Sequence, residues 1–289
     1  MASLEPGTPP GARRARASRP PLILGHRGYR ACYPENTLLS FREAFAHGAD
    51  GIECDVQKSA DGRYVVIHDP TTERVSRVGG SVGSMRLAEL RMLDLGLGER
   101  IPTLEEALDA LPRGAYIDVE LKADTLRARD CGPLADILDA RVGRRRLMVS
   151  SFEPALLRPL RKRGFTVGLL LGDDTRQRGP GSLAGTLLRL RPAYLNLPIQ
   201  LFAMLGRHKA ALLLRLFQAL GFSILFWTVN DEKGARAVDR FAAIVVSDDV
   251  ELVAGLRKGP RPGPRPPRGT QIGRERARLP RTGARQKRQ

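Results

Sequence analysis

The sequence predicts an α/β fold made of eight β/α units, the number that closes a (β/α)8 barrel, or TIM barrel. Three observations carry this. Short extended apolar runs alternate with amphipathic stretches from residue 22 to residue 257, and eight such runs can be counted. The span of ~235 residues matches one such barrel. Finally, 42% hydrophobic and 27% charged residues supply a core of ordinary globular proportions. A doubly wound open sheet would show the same alternation, so the pattern by itself leaves closure open.

Taken in order, the first extended run is Leu22–Gly25, followed by helical spacing over Thr37–His47. Gly51–Gln57 is the second. Tyr64–His68 reads as an extra short strand, and a glycine-bearing insertion, about residues 71–100, precedes a helix over Leu104–Leu111. An insertion there follows the second strand, at the end of a barrel where active sites are built. Ala115–Leu121, Leu147–Ser150 and Thr166–Leu171 come next, with a helix over Pro154–Arg163. Ala193–Leu197, Ile224–Trp227 and Ala243–Ser247 complete the set, with a helix over Glu232–Phe241.

The net charge of +17 resides mostly in two Pro-, Gly- and Arg-rich ends. Residues 258–289 carry +10 and residues 1–20 carry +3, leaving +4 for residues 21–257. These ends have almost nothing to bury and are expected to be disordered tails around one domain. A basic tail can contact anionic lipid or nucleic acid weakly, but no nucleic-acid module is present, and no obligate protein partner is evident. No run of ~20 uninterrupted apolar residues occurs, which excludes an integral membrane protein. The three cysteines form no CxxC pair, so neither a disulfide framework nor a zinc knuckle is expected. Leu22–Leu24 is too short for a signal-peptide core, so a cytoplasmic, reducing location is expected.

The chemistry concentrates in carboxylates. In Gly51-Ile-Glu53-Cys-Asp55-Val the two acids share one face of a strand. A solvated edge strand would explain them blandly; metal ligation would explain them sharply. Asp118, Glu120 and Lys122 repeat the spacing on the next strand, so Glu53, Asp55 and Glu120 can converge. Three carboxylates that close cannot all ionise without a cation, and oxygen-only ligation selects Mg2+ or Ca2+ over zinc. His26 and His68 each end a strand. With Arg27 and Lys122 they can form a general acid, a general base and an anion clamp. His47 reads as a helix C-cap and His208 as a surface residue.

The ordered set His26-Arg27-Gly28, Pro34-Glu35-Asn36-Thr37, Glu53-Cys-Asp55, His68-Asp69-Pro70, Ile101-Pro-Thr and Glu120-Leu-Lys122 resembles the glycerophosphodiester phosphodiesterases. Ser151-Phe152 and Trp227-Thr-Val-Asn230 extend the likeness, which covers residues 22 to about 250. The resemblance implies a closed barrel, a divalent cation on Glu53, Asp55 and Glu120, and an acid/base pair at His26 and His68. It also implies phosphate contacts from Arg27 and Lys122 and an alcohol pocket lined by Trp227. The implied reaction splits a small-molecule glycerophosphodiester into glycerol 3-phosphate and an alcohol; the resemblance suggests a cyclic phosphate formed by the glycerol 2-hydroxyl, and the residues are equally consistent with direct attack by water. The same site acting on lipid phosphodiesters, as a lysophospholipase D or phospholipase-type enzyme, is the alternative. The chain departs from the family at Ser247-Asp248-Asp249-Val250, where a Thr-Asp-x-Pro ending is usual, and it lacks the Asn-Gly turn often seen after His-Asp-Pro.

Overall fold

Strand β1 (Leu22–His26) is hydrogen-bonded to parallel neighbours on both sides, and that double pairing closes the sheet. The computed structural model describes residues 20–172 and 180–257; the basic tails lie outside them apart from Pro20. Around the barrel from β1 run β2 (Gly51–Lys58), β4 (Tyr116–Leu121), β5 (Leu147–Ser151), β6 (Thr166–Leu170), β7 (Tyr194–Pro198), β8 (Ser223–Trp227) and β9 (Ala242–Ser247). β9 returns to β1, with Gly25 beside Ser247. The eight parallel strands form a TIM barrel, which settles the alternative of an open sheet.

Helices α1 (Leu38–Ala46), α2 (Leu87–Leu90), α3 (Leu104–Asp109), α4 (Cys131–Arg141) and α5 (Pro154–Lys162) come first in chain order. α6 (Pro180–Leu190), α7 (Leu201–Leu205), α8 (Arg207–Ala219), α9 (Glu232–Val238) and α10 (Val250–Gly255) follow. Two helices stop earlier than their apolar spacing predicts. α3 ends before Leu111 because Pro112 disfavours helical backbone at the preceding residue. α9 ends at Val238 so that Phe241 can enter the core just before β9.

Strands buried on both faces divide the core in two. Ile52, Cys54, Val56, Ile117 and Val119 point outward against helices such as α1 and α3, in the larger cluster. Leu24, Met148, Leu225 and Val246 point inward, with Leu22, Tyr116 and Tyr194 packed against them. Above that apolar floor, the inward positions of β2 and β4 are occupied by acids. The extra strand is shorter than expected: β3 (Tyr64–Val66) lies antiparallel on the outer end of β2. The segment after it is built around its own small core, in which Val65, Ile67, Val82, Leu90, Leu93 and Ile101 pack together.

Candidate active site

Strand register assembles the acids. Glu53 on β2 lies beside His26 on β1 and Asp118 on β4, while Asp55 lies beside Glu120. One carboxylate oxygen from each of Glu53, Asp55 and Glu120 falls within 4.8 Å of the others. All three residues are buried. Burial first, and then the charges of Asp55 and Glu120, push the Glu53 carboxyl well above its ordinary value. Burial would raise Asp55 too, but Lys122 and then Arg27 outweigh it and hold that carboxyl below the usual range. Lys122 pairs with Asp55 at 2.8 Å and with Glu120. The Arg27 Nε lies 3.1 Å from Asp55, and its backbone N–H donates to Glu53 at 3.1 Å.

The donor set fits a hard divalent cation. It is oxygen only, and Glu53 Oε1 is buried without a hydrogen-bond partner among the described residues. Lys122 and Arg27 flank Asp55 but leave Glu53 short of positive charge, which is the place an ion would fill.

Both histidines line the same cleft, a cavity of about 330 Å3, and each is held by an aspartate. His26 Nδ1 lies 2.6 Å from Asp248, and His68 Nδ1 lies 2.5 Å from Asp69. A carboxylate only accepts, so each Nδ1 carries the hydrogen and each Nε2 is left for proton transfer. His26 Nε2 sits 4.0 Å from Glu53. Asp248 is in turn fixed by Asn230 at 2.7 Å and Arg30 at 3.3 Å. Burial opposes its ionisation, but the His26 hydrogen bond and charge prevail and bring its carboxyl down to about 2. The His68 imidazole is lowered, chiefly by burial, while Asp55 pulls the other way.

Local backbone chemistry places these groups. Gly28 adopts φ 86°, and a Cβ there would collide with Ser40, so the turn after His26 and Arg27 can press onto the start of α1. Thr37 caps that helix by accepting from the Ser40 N–H at 3.2 Å. Asn36, two residues after Pro34, donates to Asp55 at 2.9 Å. Gln57, the next inward residue of β2 after Asp55, donates to the His68 carbonyl at 3.0 Å and the Asp69 carbonyl at 2.5 Å. That clamp fixes the end of β3 to the barrel.

Every predicted site residue except Asp55 lines the cleft, and Asp55, fully buried, is tied to it through Arg27 and Lys122. Trp227 lines the cleft too, edge to face with Phe152 at 5.9 Å, and its indole Nε1 is buried without a hydrogen-bond partner among the described residues. Sequence reasoning assigned no role to Asn36, Gln57, Asp69, Asp118, Asn196, Asn230 or Asp248. Asp118 and Asn196 meet at 3.4 Å on the cleft floor. The inward period of β2 is the signal that could have found Gln57, whereas Asp248, just beyond β9, carries no local signal of its pairing with His26. As expected, His47 caps α1, its ring 2.9 Å from the Glu43 carbonyl, and His208 is exposed.

The arrangement offers cations for an anionic diester and imidazoles on both of its sides, and comparison with known proteins shows the family it belongs to. Residues 26–252 match the family model described as the glycerophosphoryl diester phosphodiesterase family. A glycerophosphodiester phosphodiesterase of Caldanaerobacter subterraneus subsp. tengcongensis is 30% identical over 251 residues, 82% of this chain and 98% of that protein. The crystal structure of the Thermotoga maritima glycerophosphodiester phosphodiesterase superposes with a TM-score of 0.71 at 32% identity, covering 82% of this chain and 98% of that one. An Oleispira antarctica phosphodiesterase, solved in complex with the product sn-glycerol-3-phosphate, gives a TM-score of 0.70 at 25% identity over 82% and 96% of the two chains. With sequence, fold and cleft in agreement over the same residues, the chain belongs to the glycerophosphoryl diester phosphodiesterase family, and with it to the phosphoric diester hydrolases.

Proposed function

We propose that this protein hydrolyses glycerophosphodiesters to sn-glycerol 3-phosphate and an alcohol by metal-assisted histidine acid–base catalysis. The observation that carries this reading is the cleft in which two aspartate-anchored histidines stand over three converging carboxylates. The product bound in the Oleispira antarctica phosphodiesterase supports the choice of substrate class.

Glu53, Asp55 and Glu120 would hold Mg2+ or Ca2+, whose chemistry is to draw charge from the phosphoryl oxygens as it builds in the transition state. Lys122 adds a fixed positive charge beside the same oxygens, and Arg27 presents a planar fork suited to two of them. His68, kept neutral by its burial, accepts the proton of the attacking hydroxyl. His26, oriented through Nδ1 by Asp248, enters the step as the imidazolium and gives its Nε2 proton to the leaving alkoxide, so that His68 ends protonated and His26 neutral. Trp227 and Phe152 give the alcohol an apolar wall. If the glycerol 2-hydroxyl attacks first, the same two histidines exchange roles when water opens the cyclic phosphate. A cytoplasmic location is supported by three free cysteines; recovery of the native protein in a secreted fraction would overturn it. Among the described residues no helix is long and apolar enough to cross a membrane.

The test is a panel of glycerophosphodiesters assayed before and after exhaustive chelation. Turnover should vanish on chelation and return with Mg2+ or Ca2+, with glycerol 3-phosphate as a product. Full turnover by chelated protein would reduce the triad to a structural cluster.

A further inference from the structure

Helix α8 leaves an apolar ridge uncovered on the outside of the barrel. Its core face consists of Ala210, Leu214 and Phe217, all buried. A second row at four-residue spacing, His208, Leu212, Leu216 and Leu220, faces away from that core. Leu212 is 73% exposed, Leu216 53% and Leu220 64%. α7, joined to α8 at Gly206, adds Met204 and Leu205, which are 43% and 36% exposed. Single exposed leucines need no explanation, but a contiguous row of them marks a surface that something covers.

Charge decides what that is. Residues 180–230 contain Arg189, Arg191, Arg207, Lys209 and Arg215 and not one Asp or Glu. Arg207 and Arg215 precede ridge residues by one position and Lys209 follows one, so bases stand on both flanks of the ridge, and all three are exposed. A second copy of this chain docked face to face would bring those bases against their own images. Single-stranded nucleic acid would want exposed aromatic platforms, and the ridge is aliphatic. An anionic lipid surface satisfies both features at once. Leucines enter the boundary of the acyl chains while Arg and Lys stems extend to the headgroup phosphates.

We propose that α7 and α8 form a peripheral docking face for an anionic bilayer. The face starts near the cleft: α7 begins three residues after Pro198, the strand partner of Trp227, and the Ile199 N–H donates to the Trp227 carbonyl at 2.7 Å. Docking of this kind is independent of which phosphodiester is cleaved.

The test is flotation of the full chain with phosphatidylcholine vesicles, with and without about one-third phosphatidylglycerol. The wild type should float only with the anionic vesicles. Leu212→Ser with Leu216→Ser should lower its partition about tenfold or more, the scale of two lost leucine contacts. Melting temperature and turnover of a soluble aryl phosphodiester should stay at wild-type values. The basic tails can also bind by charge alone, but such binding is released at about 0.5 M salt, whereas a leucine-anchored fraction persists. Should the serine variant not fold, Arg207→Glu with Arg215→Glu is expected to cause the same loss. The proposal fails if the serine variant floats like the wild type, which would assign binding to the tails, or if the wild type does not float. It fails equally if the wild type is a dimer that the serine variant turns into monomers without any change in vesicle binding.

Discussion

At the scale of single residues, the site depends on what each charged group is paired with. His26 and His68 are both oriented by carboxylates on Nδ1, so replacing either by alanine removes a positioned imidazole from the cleft. His26→Ala and His68→Ala should each lower kcat by on the order of 100-fold or more, with KM changing less. A variant that kept near-normal turnover would strip that histidine of its role. Arg27 is held twice, by Glu35 at 2.9 Å and by Asp55 at 3.1 Å. Lysine would keep the charge but could not span both carboxylates and still offer a fork to the phosphate. Arg27→Lys should therefore cost roughly 1 to 3 kcal/mol in kcat/KM, the scale of a lost charge-assisted hydrogen bond. If the melting temperature fell while the specific activity of the folded fraction stayed intact, Arg27 would be a structural pin only.

At the scale of elements, the segment between β3 and α3 is where the chain supports its second histidine. The side chains flanking His68 on the strand side, Val65 and Ile67, belong to the small core that includes Leu90 of α2, and Gln57 clamps the carbonyls just beyond. The sequence showed an insertion with glycines there, and its short helix was illegible because four residues carry too little periodicity to register. By contrast, the apolar spacing announced α3, and the structure adds a capping box in which Thr103 and Glu106 exchange bonds at 3.2 and 2.9 Å. Leu90 is fully buried, so Leu90→Ala should destabilise the protein by about 2 to 5 kcal/mol. If this small core positions His68, the folded fraction of that variant should also lose turnover, while an equally destabilising change in α4, Leu138→Ala, should spare it. Equal specific activity in the two would confine the small core to a structural role.

At the scale of the whole molecule, closure and the charge network come from contacts between distant parts of the chain, and these set both what could be read in advance and how the protein answers to acid. The triad of acids was legible because Glu53, Asp55 and Glu120 obey a two-residue period on neighbouring strands, a local signal. Closure was not legible from pattern alone, since it depends on β9 returning to β1. The partner of His26 was hidden for the same reason: Asp248 is 222 residues away. These distant pairs join into one chain of charges around the cleft's rim. Glu35 receives Arg27, Arg30 and Arg74; Arg30 reaches Asp248, and Arg74 reaches Asp69 beside His68. Burial opposes the ionisation of Glu35, but Arg74 and then Arg27 bring its carboxyl down from 4.5 to about 2. Asp248 is likewise brought from 3.8 to about 2. A carboxyl lowered by folding stabilises the fold fully above its unfolded value and loses that contribution as pH falls through its folded value. The melting temperature should therefore hold level on this account down to about pH 4.5 and then fall towards about pH 2. Glu35→Gln removes one of the two titrations, so it should melt lower than wild type at neutral pH and show a shallower decline across that acid window. Parallel melting curves at every pH would mean that the arginines around Glu35 stabilise the fold no more when it is ionised than when it is not, and the rim network would then be a matter of geometry alone.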